Sequence, residues 1–517
     1  MKKKYPISII IILRQILIGI ILFVIPVSLW SVPLKSKPNI ILIMADDLGY
    51  AGLGANGGTT FKTPYLDDMA AKGVRFTNCY TTPTCTPSRV NLISGQHPHN
   101  NGWIEGIWHK KGFPPVDWTT VPSFGSMLKS AGYKTSVSGK WQLCVFDQDP
   151  NHAVEAGFDE YFLWSYKYEG ESHSRYYAPW IWENGAIHEE YTNDTTAYGP
   201  DLHNDFVLDF IERQKDTTFF IYYPMILIHY PRHRPPGYTS HPFRDMVNYM
   251  DVLVEKVRQK VHDAGIAENT LILFTSDNGF EGGMSSTLGD LKIKGRKHTV
   301  CNVATHVPLI AYWSGRIPEN KVVTDMIEFA DFLPTLYSFG GGSLFPGAKV
   351  DGRSFANQIL SGENTGGPDF SFALAEKEEQ LITDGHYTLY NDGRFYDIEA
   401  DYTETTEIPE GTGSSEAEAA RAALKVKLDN IDEDFVEFPP PNSEILSILP
   451  HGSGKAPNTF YYLQNGMEIK AKPNSEIYIF DLTGTLRFQG MTDNQGILSI
   501  SSGSNPIPEG IYITKVK

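Results

Sequence analysis

Cysteine is scarce in this chain, with only Cys79, Cys85, Cys144 and Cys301 among 517 residues. That excludes a disulfide-stapled miniprotein, and a chain this long can bury a large core across roughly three domains without such staples. Positive charge is also short. Lys and Arg number 44 against 61 Asp and Glu, a net charge of -17, so the chain as a whole should repel nucleic acid and anionic membrane. An anionic partner would need a locally positive pocket. Hydrophobic residues at 41%, charged residues at 20% and a mean hydropathy of -0.26 exclude both a polytopic membrane protein and a mostly disordered chain. There is no internal repeat.

The first 31 residues have the form of a signal peptide: Lys2, Lys3 and Lys4, an apolar stretch over 16–27, then small residues at Ser28 and Ser31. They predict export through the periplasm to the cell surface or medium. Arg14 within the apolar run and Leu29-Trp30 near the cleavage site leave a retained membrane anchor as the competing reading. No Cys follows the apolar run closely, which argues against a lipoprotein. In an exported chain the four cysteines allow two disulfides in three connectivities.

From residue 36 to 342, short apolar runs alternate with polar helical stretches, the pattern of parallel α/β architecture. Residues 39–44 (NIILIM) read as a strand buried on both faces, and 134–137, 219–227 and 270–274 are similar. Polar residues gather just beyond several of these runs, where open α/β sheets place their ligands. A smaller unit over 343–438 carries strand-like pieces at 380–384, 387–390 and 395–398. Within it, residues 401–437 hold 11 acids against Arg421, Lys425 and Lys427, which reads as a solvated helix around 416–428 with flexible flanks. Residues 439–457 look like a linker, and 458–517 alternate apolar and polar residues between Gly and Asn turns, as a small antiparallel β module does.

The pentapeptide Cys85-Thr86-Pro87-Ser88-Arg89 carries the most chemical information. Pro87 suits the first turn of a helix, which puts Cys85 at a helix N-terminus, where backbone N–H groups and the dipole favour an anion. A structural Cys, an activated thiolate and a modified residue all fit that position. Asp46-Asp47 and Asp277-Asn278 offer oxygen ligands at two strand ends, suited to a hard divalent cation, although Asp pairs there are also common turn formers and caps. Lys140, His229 and Lys297 add cationic or proton-donating groups. Each alone is an ordinary surface charge or packed His.

Together these segments resemble a formylglycine-dependent sulfatase of the alkaline-phosphatase-like superfamily. The likeness runs over 38–401, through NIILIMADDLGY (39–50), CTPSRVNLISGQHP (85–98), GKWQL (139–143), FFIYYPMILIHYP (219–231), FTSDNG (274–279), the 297–308 segment, FADFLPTLYSFGG (329–341) and DGRSFANQILSGE (351–363). It implies a sandwich with a large, mostly parallel sheet flanked by helices, a smaller C-terminal α+β subdomain with a short antiparallel sheet, and a terminal all-β module. It also implies that a maturation enzyme oxidises Cys85 to formylglycine, whose hydrate attacks sulfur. Asp46, Asp47, Asp277, Asn278 and residue 85 would then ligate one Ca²⁺ per subunit. Arg89 would hold the modified side chain, Lys140 and Lys297 would grip the sulfate, and His229 would donate the leaving-group proton. Such a nucleophile can release its sulfate by losing a second hydroxyl proton, a route closed to Ser or Cys.

Two positions depart from the family pattern. Gln142 stands where a His commonly takes that second proton, and an amide is no base near neutral pH, so Gln142 is expected to orient sulfate or nucleophile by hydrogen bonding. After Lys297 the usual acidic residue and Gly pair are missing, which leaves the packing of that loop open; the spacing to Pro308 selects Lys297 over Lys294. The terminal module resembles the sorting domain of type IX secretion, through IYIFDLTGTLRFQG and PEGIYITKVK, with a carbohydrate-binding β-sandwich as the alternative. The expected substrate is a sulfated polysaccharide or oligosaccharide, with residues 103–111 and 229–234 as possible sugar-contacting segments. A phosphonate or phosphate monoester hydrolase, and a sulfated-glycan binding protein with impaired turnover, are the alternatives.

Overall fold

The computed structural model describes residues 37–431, apart from 110–111, 113, 169–170 and 376–378, and beyond them only the backbone of short strands between 436 and 516. The signal peptide at 1–31 and the linker at 439–457 lie outside the described residues. Strand β1 (Asn39–Ala45) sits in the middle of a ten-stranded sheet. The other strands are β2 (Val74–Tyr80), β3 (Lys134–Lys140), β4 (Glu160–Trp164), β5 (Ile181–Glu183), β6 (Ala186–Ile187), β7 (Phe219–Pro224), β8 (Thr270–Ser276), β9 (His306–Tyr312) and β10 (Lys321–Glu328). Their order is β10-β2-β9-β8-β1-β7-β3-β4-β5-β6, and the central run β8-β1-β7-β3-β4 is parallel throughout.

Period-two alternation along β1 divides its side chains between two cores. Ile40, Leu42 and Met44 join one with α2 (Cys85–Ser94), α3 (Phe124–Ser130) and α6 (Phe332–Gly340). Ile41, Ile43 and Ala45 join the other with α1 (Pro64–Ala71), α4 (Gly199–Gln214) and α5 (Pro242–Asp263). Both faces are covered, as the unbroken apolar run requires. Each large side chain so buried contributes about 1.5–3 kcal/mol.

Several expectations change on folding. The run at 219–227 ends as a strand at Pro224, because the chain then leaves the sheet and satisfies Met225 N–H and Ile228 N–H on Met44 O and Asp46 O, both at 2.8 Å. That turn delivers His229 to the end of β1. The disulfides that an exported chain allows are not formed: all four cysteines are free and buried, Cys79 and Cys144 as small apolar members of one core and Cys301 of another cluster.

The smaller unit is a four-stranded antiparallel sheet, β11 (Ser371–Leu374), β12 (Gln380–Thr383), β13 (Tyr387–Tyr390) and β14 (Phe395–Asp397), packed by α7 (Ser415–Asp429). The acidic segment is less solvated than its composition suggests. Ala417, Leu424 and Leu428 are core residues, and Arg421 lies 4.2 Å over the Phe395 ring. In the flank before the helix, Glu404 is buried and accepts from Tyr390 Oη at 2.9 Å and Asn302 N–H at 3.1 Å. The flank is held by these buried hydrogen bonds, where flexibility was expected. In the last 60 residues, two three-stranded antiparallel sheets form, so strands stand where the alternation places them.

Buried His97, three residues past α2, ties that turn to the end of β10. Its Nε2 lies 2.9 Å from Glu328 Oε1, and its backbone N–H donates to Asp351 at 2.5 Å. Burial opposes the imidazolium, but Glu328 and Asp351 outweigh it and hold the pKa up at about 9. Because the folded value exceeds the unfolded 6.5, this stabilisation is complete below pH 6.5 and is lost as pH rises through about 9. The difference in urea midpoint between the parent and His97→Asn should therefore shrink from pH 6.5 to 9. A constant difference across that range would contradict the charged-His assignment.

Candidate active site

Four neighbouring strands, β8, β1, β7 and β3, end on the same side, and each delivers part of one cluster. β1 is followed by Asp46 and Asp47, and β8 by Asp277 and Asn278. The two turns are stitched together: Asp277 N–H donates to Ala45 O at 3.1 Å, Asp47 N–H to Asp277 Oδ1 at 3.0 Å, and Asn278 Nδ2 to Asp47 Oδ1 at 2.7 Å. Asp47 adopts a left-handed backbone with φ 73°, a conformation held against its intrinsic preference by these bonds. β3 supplies Lys140. Gly139 before it has φ 126°, and a Cβ there would stand 1.9 Å from Pro224 O, so only glycine lets β3 run this close to β7.

Cys85 is the first residue of α2, with Thr84 as its extended N-cap, and the whole helix is buried. Arg89 follows one turn later. Its Nη1 donates to Lys140 O at 2.7 Å and Nη2 to Asp277 Oδ2 at 2.6 Å, with Asp46 Oδ1 at 3.6 Å. Arg89 therefore clamps three strand ends around Cys85. Lys140 Nζ lies 2.7 Å from Asp46 Oδ1 and Lys297 Nζ 2.6 Å from Asp47 Oδ1. Ligand atoms of Asp46, Cys85 and His229 all fall within 4.8 Å of one another.

The loop after Lys297 is ordered by Lys297 N–H on Phe280 O at 3.1 Å and His298 N–H on Pro83 O at 3.0 Å. Lys297 is buried in the site, while Lys294 is exposed on the strand Leu291–Lys294. Gln142 has φ 57° and is 4% exposed, and its Oε1 has no hydrogen-bond partner among the described residues. It borders a cavity of about 710 Å³ together with His229, Lys297, Trp108 and Arg232. Of the segments 103–111 and 229–234, Trp108, His229, Tyr230 and Arg232 line this cavity, whereas Trp103 is a core residue. Lys140 is fully buried and is not among the residues that line it.

Burial disfavours every charge here, and the outcome differs by neighbour. Burial pushes Asp46 up, yet Lys140, His229, Arg89 and Lys297 hold its carboxyl well below the usual range. Burial wins at Asp47, which is raised, and at Asp277, raised to about 6 with Asp46 adding repulsion. Lys297, desolvated but facing Asp47, is held well above its usual value. His229 is pushed well below by burial and by Arg175 and Lys297; its Nδ1 hydrogen-bonds Tyr230 O at 2.6 Å, leaving Nε2 toward the cluster.

Oxygens of Asp46, Asp47 and Asp277 lie within 4.8 Å of one another, and Asp47 Oδ2 and Asn278 Oδ1 are buried without partners among the described residues. An all-oxygen set with orphaned acceptors, two of whose carboxylates resist ionising without a counter-charge, fits a hard divalent cation. Sequence reasoning missed Arg175. Its Nη1 donates to Asp46 Oδ2 at 3.1 Å and its guanidinium stacks on Trp164, but it lies on an irregular stretch between short strands with no motif to mark it.

The chain is similar to known proteins over the same region. It is 30% identical to N-acetylgalactosamine-6-sulfatase of Canis lupus familiaris over 65% of this chain and 68% of the relative. Among solved structures, Ps i-CgsB matches with a TM-score of 0.66 at 24% identity over 77% of this chain and 93% of that one. BT4656 in complex with its substrate D-glucosamine-2-N,6-O-disulfate matches with 0.61 at 20% identity, over 77% and 98%. The sulfatase family model matches residues 38–342 and so spans the sheet, the cluster and Cys85; the chain belongs to the sulfatase family and is a sulfuric ester hydrolase.

Proposed function

We propose that this hydrolase removes sulfate from a sulfated polysaccharide or oligosaccharide, using Cys85 matured to formylglycine and one Ca²⁺ held by Asp46, Asp47, Asp277 and Asn278. The observation that carries the proposal is the convergence of Cys85, Asp46 and His229 within 4.8 Å at the buried N-terminus of α2, ringed by Arg89, Lys140 and Lys297. The names of the canine relative and of the BT4656 substrate, both sulfated-sugar names, favour a carbohydrate. Export by the segment at 1–31 and a type IX sorting module at 458–517 belong to the same proposal, since sulfated polysaccharide is met outside the cell.

When present, formylglycine supplies a hydroxyl nucleophile and the cation supplies charge for sulfate oxygens. The chain's own residues do the rest. Arg89 holds the ends of β1, β3 and β8 in register, so the ligands do not reorganise during turnover. Lys297, which lines the cavity, meets sulfate oxygens, and Lys140, 2.7 Å from Asp46, adds its charge to the same cluster. His229 turns Nε2 toward the reacting centre while Tyr230 O keeps Nδ1 occupied. The arrival of a sulfate anion opposes the neighbouring cations and lets His229 hold the proton that the leaving oxygen needs. Gln142 presents an amide with an unused acceptor to the same cavity.

The deciding experiment is sulfate release from defined sulfated saccharides by protein whose residue-85 peptide mass proves maturation. Cys85→Ala should lower the rate by about a thousandfold or more, and chelation should abolish it until Ca²⁺ is restored. Unchanged release by Cys85→Ala would remove the proposed nucleophile. Faster turnover of an aryl phosphate than of the matching aryl sulfate would favour the phosphate or phosphonate reading.

For Gln142, the matured Gln142→Ala protein should lose roughly ten- to a hundredfold in kcat, with the Ca²⁺ requirement intact. Full activity in that variant would mean that the amide orients nothing in the reaction.

A further inference from the structure

Arg175 has hydrogen-bonding capacity that the protein does not use. Its Nη1 meets Asp46 Oδ2, and its guanidinium carbon stands 3.9 Å over the Trp164 ring centroid. That engages one of five N–H groups. No acceptor among the described residues meets the others, although the side chain is only 7% exposed and borders the catalytic cavity. Tyr166 and Trp108 line the same cavity with ring centroids 6.5 Å apart, aromatic surface that a sugar ring can meet, while buried Trp164 backs Arg175 and lies 5.6 Å from Tyr166.

Charge points the same way. Asp46, Asp47, Asp277 and Glu281 are matched by Arg89, Lys140, Arg175 and Lys297, four against four in one linked cluster. A divalent cation adds two positive charges, and a sulfate monoester neutralises one of them. One positive charge remains, in a site where burial makes an uncompensated charge costly. Lys140 holds Asp46 Oδ1, whereas Arg175 holds Oδ2 and lines the cavity.

We propose that Arg175 receives a second oxyanion of the substrate, a carboxylate or a further sulfate beside the ester being cut, so that the preferred substrate is doubly anionic. This rests on the sulfate-ester reading above and narrows its substrate class. Arg175 binds that group through N–H edges left open by Asp46 and held flat by Trp164, a geometry that Lys cannot reproduce.

The test measures binding, using the full chain carrying Cys85→Ala, which cannot be matured and leaves sugars intact. Calorimetry in calcium-containing buffer compares N-acetylgalactosamine 6-sulfate with its 4,6-disulfate, and a chondroitin 6-sulfate disaccharide with the same disaccharide methyl-esterified at its carboxylate. In at least one pair the doubly anionic member should bind about tenfold more tightly. Which pair responds tells a second sulfate from a carboxylate. Adding Arg175→Met should bring the ratio close to one, and Arg175→Lys should recover only part of it. Equal affinities in both pairs, no binding by any probe, or a ratio that survives Arg175→Met would overturn the proposal. If Arg175→Met does not fold, the ratios with Arg175 intact still decide. Failure of the sulfatase reading is a separate result: matured parent protein that releases no sulfate from any of the defined sulfated saccharides.

Discussion

Three carboxylates share one buried place in this protein, and the rest of the architecture follows from making that tolerable. Asp46, Asp47 and Asp277 are fully buried with their oxygens within 4.8 Å of one another, an arrangement that repels itself unless cations surround it. Arg89, Lys140, Lys297 and Arg175 do so from four different segments. None of these ion pairs is a surface contact that could be lost cheaply. Removing one partner would leave a buried charge alone, which typically costs 3–5 kcal/mol.

A parallel sheet is well suited to hold such a cluster. Strand ends that are neighbours in space are far apart in sequence, so a few short turns bring residues from 46, 140, 229 and 277 together while the apolar strands beneath stay rigid. The registers β1 with β8 and β1 with β7 place Ala45 opposite Ser276 and Met44 opposite Pro224, so the turns that follow begin at the same level. The strain at Asp47 and the close approach at Gly139 are local consequences of bringing those turns within ligand distance.

How much of this could be read from the sequence depends on how local each signal is. The run at 39–44 had to be a strand covered on both faces, and Cys85 had to open a helix, because apolar continuity and Pro87 act within a few residues. Spacing chose Lys297 over Lys294, and in the fold Lys297 is buried against Asp47 while Lys294 is exposed. Arg175 was invisible, since its importance comes from Asp46, 129 positions away, and from a stacking partner on another segment. The acidic 401–437 segment misled for the opposite reason: its composition is that of a solvated stretch, but Glu404, Arg421 and the apolar face of α7 are satisfied by contacts with distant strands.

Gln142 and Arg175 are best understood together. At position 142 the chain gives up an ionisable group beside the reacting centre and keeps a neutral amide whose acceptor is unused. At 175 a permanent cation stands beside Asp46, its guanidinium carbon 3.9 Å over the Trp164 ring centroid. A guanidinium keeps its charge, and so its attraction for an anion, whatever the neighbouring carboxylates and His229 do. That explains how a chain with a net charge of -17 can still present a cation-rich pocket: the surface charge and the buried cluster are set by different residues under different dielectric conditions.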